Sequence, residues 1–255
     1  MITAPDPDRA RAPDQAVLVT SRPLDEYCAL FGLTRARLAA LPGPLLDCPG
    51  GASGLTAEAR ELGCRVIAVD PAYALPLPEI QARALAARAS MALAMAARPH
   101  LYPSSRPHRP PRPERYLRSW DRARLLFAAD SAAHPQSYLA AVLPRLPFAD
   151  GAFALTLSGY LIFAYPELFG PEHQLAALAE LVRVTAPGGE VRVQPLNDGH
   201  GRRCGHLDRV RYALGERRIA SEVRRVPLGD GRAGRVMVLR AVDRRLRRSS
   251  PTTVL

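Results

Sequence analysis

Hydrophobic and polar positions divide the chain into an irregular beginning and a long alternating body. Residues 1–20 are rich in Pro, Asp, Arg and Ala without periodicity and read as a loose arm, within which Ala16–Thr20 could pack as a short strand. Helical spacing runs from Asp25 to Leu33. Thr34 then offers an N-cap to a second short helix that Pro42 and Gly43 stop. From Pro44 the pattern becomes strand, glycine turn, helix, strand: Leu45–Cys48, Ser53–Leu62 and Arg65–Asp70 predict one right-handed βαβ unit of a parallel sheet.

Farther along, Leu77–Ala97 and Glu114–Ala129 read as helices. Between them lies 98–113, whose six prolines and four arginines forbid regular structure and predict a surface loop insertion. Tyr138–Leu143, Phe153–Ser158 and Glu190–Leu196 read as strands three to five, with a helix at Glu172–Val184. Ile219–Val226 and Arg235–Val242 alternate as a closing antiparallel pair. The expected organisation is one α/β domain over 21–243, followed by a basic tail at 244–255.

Charge changes this picture in one respect. The net charge is +11, and all 35 basic residues are arginine. A chain without lysine can form no lysine Schiff base and has no lysine general base or P-loop lysine. The excess is local: +6 over 98–124, +10 over 202–248 and −5 over the remainder, so the core is mildly acidic. The four cysteines have no metal-finger spacing, and His200, Cys204, His206 and Asp208 match no standard zinc signature, so no metal is expected. With no apolar targeting core and no membrane-length apolar run, the reading is a soluble, cytoplasmic protein.

The chemistry starts where the first strand meets its helix, at Asp47-Cys48-Pro49-Gly50-Gly51-Ala52-Ser53-Gly54. Glycines there let a ligand approach the backbone, and the helix start offers N–H donors. A carboxylate at Asp47 suits a cationic amino-acid end better than a diphosphate. Asp70, 23 residues on at the end of the second strand, stands where an acid accepts bonds from a ribose diol. Together these two carboxylates point to S-adenosylmethionine.

Four blocks, LLDCPGG at 45–51, RVIAVDP at 65–71, LPFADGAFALTLS at 146–158 and LAELVRVTAPGGEVRV at 178–193, make the chain resemble class I S-adenosylmethionine-dependent methyltransferases over roughly 43–196. The resemblance implies a Rossmann-like, doubly wound, mostly parallel sheet of about seven strands with an antiparallel C-terminal pair. It also implies that Asp47, Pro49, Gly50, Gly51 and Ser53 surround the methionine part, that Asp70 holds the ribose, and that Leu143 and Pro144 flank the adenine. Ser158, Gly159 and Tyr160 would face the transferable methyl group. The sequence departs from the family pattern at Pro49, at Ala154 and at the end of the third strand, which has no acid.

Methyl transfer needs alignment and a dry pocket, and a protein base only where the acceptor is protonated. Tyr160 is the best-placed candidate, as a base or as an aromatic closing the pocket. His200, in the loop 197–201 beyond the fifth strand, is the second; Tyr165, His173, Asp198 and His206 are further ones. A small-molecule acceptor in specialised metabolism is the leading expectation. One alternative is a methyltransferase fold that has lost methyl transfer and serves as a partner subunit or catalyses a non-methylating step such as cyclisation; a protein partner or a homo-oligomer is a separate expectation. The other is an RNA or DNA methylase, which the net charge would favour; it lacks the motifs of base methylases and the lysine of ribose methylases.

Overall fold

The computed structural model describes residues 17–97, 113–198, 201–228 and 233–242. His200 and nearly all of the proline-arginine stretch lie outside these residues. The elements run α1 (Leu24–Phe31), α2 (Arg35–Ala39), β1 (Leu45–Asp47), α3 (Leu55–Glu61), β2 (Val66–Val69), α4 (Leu77–Ala97), α5 (Pro113–Ala133), β3 (Tyr138–Leu139), β4 (Phe153–Gly159), α6 (Pro171–Val184), β5 (Thr185–Gln194), α7 (Leu207–Glu216), β6 (Ile219–Pro227) and β7 (Ala233–Ala241).

The strands form one seven-stranded sheet in the order β3-β2-β1-β4-β5-β7-β6. All pairs from β3 to β5 are parallel, and β7 runs antiparallel to both β5 and β6. This is the doubly wound, mostly parallel sheet with an antiparallel final pair that the strand pattern and the resemblance predicted.

Period-2 alternation assigns each strand residue to one of two cores. Leu46, Val191, Val193, Met237 and Leu239 pack towards α6 and α7. Leu45, Leu155, Leu157, Val236 and Val238 pack on the opposite face against α1 and α2. Burial on both faces explains why β1 and β2 are nearly continuous apolar runs.

Local chemistry sets the element ends. Thr34 caps α2 as expected, its hydroxyl oxygen accepting the Arg37 N–H at 3.1 Å. Gly32 closes α1 in the left-handed region at φ 62°.

Four stretches depart from the sequence reading. The third strand shrinks to two residues, and β5 starts early, at Thr185, through a bulge in its pairing with β4. The helix α7 was not foreseen, although Leu207, Val210 and Leu214 are its buried positions at helical spacing. Residues 17–22, at the end of the expected arm, make no strand. They lie along the glycine turn, where Ala52 N–H donates to Thr20 O and Gly54 N–H to Arg22 O, both at 2.9 Å.

Candidate functional site

In doubly wound sheets a ligand sits at the carboxyl ends of the strands, where the winding reverses. Here that point lies between β1 and β4, and a cavity of about 350 Å³ opens beside it. This is within the size range of small-molecule sites. Its walls come from the β1 turn, the β2 end, the β4 and β5 ends, helix α1 and residues 17–22.

Of the residues expected to bind a cofactor, Pro49, Gly51, Asp70, Leu143 and Gly159 line the cavity, as does Tyr160. Asp47, Gly50, Ser53, Pro144 and Ser158 do not. Asp47 is wholly buried. Its Oδ2 accepts from the Tyr27 hydroxyl at 2.9 Å and from Ser53 Oγ at 3.4 Å, while Oδ1 has no partner. Burial pushes its carboxyl up to about 8; the bond from Tyr27 moderates the rise and nearby Asp70 adds to it. The expected carboxylate is therefore a buried acid held well above the usual range, and Tyr27, not Asp47, forms the wall.

Asp70 occupies the predicted place at the end of β2. Its Oδ1 accepts the Ala72 N–H and its Oδ2 the Gly51 N–H, both at 2.9 Å. Burial raises its carboxyl above the usual range, and these two bonds hold the rise back. It thus caps a short 3-10 turn and ties down the glycine turn. Each oxygen keeps a lone pair for a further donor.

The glycine turn departs from expectation in a second way. Gly50 N–H donates to Val69 O at 2.9 Å, Gly51 N–H to Asp70, and Ala52 and Gly54 to Thr20 and Arg22. The close approach that glycine permits is made by the chain itself: a Cβ on Gly51, at φ +55°, would meet Thr20 O at 2.7 Å. The N–H groups of Gly50, Gly51, Ala52 and Gly54 are thus committed within the chain.

Several wall residues were not foreseen. Arg22 is buried, donates through Nε to Glu26 at 3.0 Å and to the Thr20 hydroxyl, and lies 3.7 Å above the Tyr160 ring centroid. Burial alone would lower its guanidinium, but Glu26 and the neighbouring tyrosines outweigh this and raise it, so it stays charged. Glu26 also accepts from the Tyr116 hydroxyl at 2.8 Å and Trp120 Nε1 at 3.3 Å. Gln194, at the end of β5, is 5% exposed, and its Nε2 has no partner.

Tyr160 itself sits at φ 56°, a strained conformation for a bulky residue. Its N–H donates to Gln194 O at 2.8 Å, which fixes the β4 and β5 ends together. The other described candidate bases, Tyr165, His173, Asp198 and His206, are not in the cavity wall.

Sheet order, a reversed last strand and an acid at the end of β2 beside a glycine turn make up the Rossmann-like arrangement that the resemblance implied. No protein-family model matches the chain. An uncharacterized protein of Methanocaldococcus jannaschii is 22% identical over 197 residues, which are 76% of this chain and 84% of that protein. Among solved structures, the 1,6-didemethyltoxoflavin-N1-methyltransferase of Burkholderia thailandensis, with bound 1,6-didemethyltoxoflavin and S-adenosylhomocysteine, is 20% identical with a TM-score of 0.44. That match covers 82% of this chain and 76% of the other. The CcbJ methyltransferase of Streptomyces caelestis is 15% identical with a TM-score of 0.45, covering 86% and 90%.

Proposed function

We propose that the protein binds S-adenosylmethionine in this cavity and transfers its methyl group to oxygen, nitrogen or carbon of a small metabolite in a specialised biosynthetic pathway. The observation that carries this reading is the cavity at the winding reversal with buried Asp70 in its wall. Asp70 fits the hydroxyls of a ribose, and Ala141, Val142 and Leu143 supply an apolar seat for a base. Arg22, a charged guanidinium in the wall, fits a carboxylate better than the buried Asp47 fits an ammonium. The bound sulfonium would supply an electrophilic methyl group. The chain's part is then to align the acceptor and exclude water, with Tyr160 beside the reacting end.

A second reading is favoured by the committed N–H groups of the glycine turn and by the hidden Asp47: the fold is kept while methyl transfer is lost. Thermal denaturation with millimolar S-adenosylhomocysteine tests the first reading. Ligand at 100 times its dissociation constant stabilises by about 2.7 kcal/mol and raises Tm visibly. An unchanged Tm removes methyl transfer and leaves the second reading.

A further inference from the structure

Among the described residues, the cavity wall treats charge unevenly. Its one carboxylate, Asp70, is bonded to two backbone N–H groups at the β2 end. At the β4 and β5 ends the charged group is Arg22, whose partner Glu26 is not in the wall and is also held by Tyr116 and Trp120. Asp47 is screened by Tyr27. With the cofactor's carboxylate on Arg22, a cationic amine acceptor entering this end would find no carboxylate of the wall to pair with.

What this end offers instead is apolar surface and one unused donor. Gln194 Nε2 is buried without a partner. It lies 3.5 Å from the point where a Cβ on Gly159 would stand, with Phe31 Cζ 3.4 Å from the same point. Phe31 stacks on Tyr27 at 5.8 Å, and Leu161 and Phe169 complete the apolar surface. A buried N–H without a partner costs free energy unless the ligand supplies an acceptor.

Resting on the methyl-transfer reading, we propose that the methyl acceptor is a small, flat, apolar molecule, neutral or anionic. It presents a hydrogen-bond-accepting atom, such as a carbonyl, phenolic or carboxylate oxygen or a ring nitrogen, to Gln194 Nε2. Cationic amines are excluded as acceptors.

Three probes sharing one ring system test this: 1-naphthol, 1-naphthoate and 1-naphthylmethylamine, which is an ammonium ion at pH 7. Each is titrated into the full chain by calorimetry, with and without S-adenosylhomocysteine. The expected result is binding of naphthol or naphthoate at least tenfold tighter than the ammonium probe. Gln194→Leu should weaken the favoured probes by about tenfold, and Gln194→Glu should reverse the order of naphthoate and the ammonium probe. Equal or tighter binding of the ammonium probe, binding indifferent to both substitutions, or no binding of any probe overturns the inference. Failure of S-adenosylhomocysteine to bind while the ranking holds overturns the cofactor reading, and with it the role of the ligand as methyl acceptor, and leaves only the cavity's preference among the probes.

Discussion

Asp47 and Asp70 end neighbouring parallel strands, yet burial and hydrogen bonding give them different roles. Asp70 keeps two backbone donors; Asp47 keeps one firm donor, from Tyr27, and an oxygen with none. With a folded-state value of about 8 against 3.8 for the free side chain, Asp47 binds its proton more tightly in the folded protein. Its contribution to stability is therefore fully present below about pH 4 and is lost as pH rises towards 8. Asp47→Asn should flatten the Tm-against-pH curve across that window and raise Tm most at its alkaline end. Gly51→Ala, which forces a Cβ against Thr20 O from a left-handed backbone, should cost about 1–3 kcal/mol in urea unfolding.

At the level of elements, the clearest device is the charge cluster that clamps β5, β6 and β7 to α1 and α2. Glu190 accepts from Arg192 at 2.7 Å and from Arg37 at 2.9 Å, and also pairs with Arg224 and Arg240. Arg192 is 4% exposed at its side chain and also donates to Phe31 O at 2.6 Å. The surrounding guanidiniums bring the Glu190 carboxyl down to about 2 against the effect of its burial. Glu190→Ala strands a buried guanidinium and should cost about 3–5 kcal/mol of unfolding free energy, read by circular dichroism in urea.

The helices and strands were legible where periodicity and punctuation agreed, as in α4, β2, the Thr34 cap and the closing hairpin. The strap at 17–22 was not, because it is held by backbone carbonyls and its buried positions, Val19, Ser21 and Arg22, include a single apolar one, which leaves no hydrophobic period to read. In the site, Asp70 was legible from its strand end. Gln194 was missed, although Glu190, Arg192 and Gln194 alternate on one face of β5 and flag an inward polar row. The position of Asp47 at the end of β1 was legible and its burial behind Tyr27 was not, since Tyr27 comes from a helix 20 residues upstream and no local pattern shows that it covers the acid.

On the scale of the whole molecule, the fold brings the β1 turn, the β2 acid and the β4–β5 ends to one edge of the sheet, and the strap covers that edge. Among the described residues no helix is long and apolar enough to cross a membrane. Several arginines are paired within the fold: Arg60 with Asp130, Arg183 with Glu180 and Asp150, and Arg209 with Glu172. These pairs leave the net charge of +11 unchanged, and the cavity is the more specific guide to a ligand. Its assignment as an adenosyl site is tested most directly by calorimetric titration of S-adenosylhomocysteine into the wild-type protein and Asp70→Ala. One-to-one binding to the wild type, weakened at least tenfold by the substitution, is the predicted result; no heat of binding to the wild type, or equal affinity for both proteins, contradicts it.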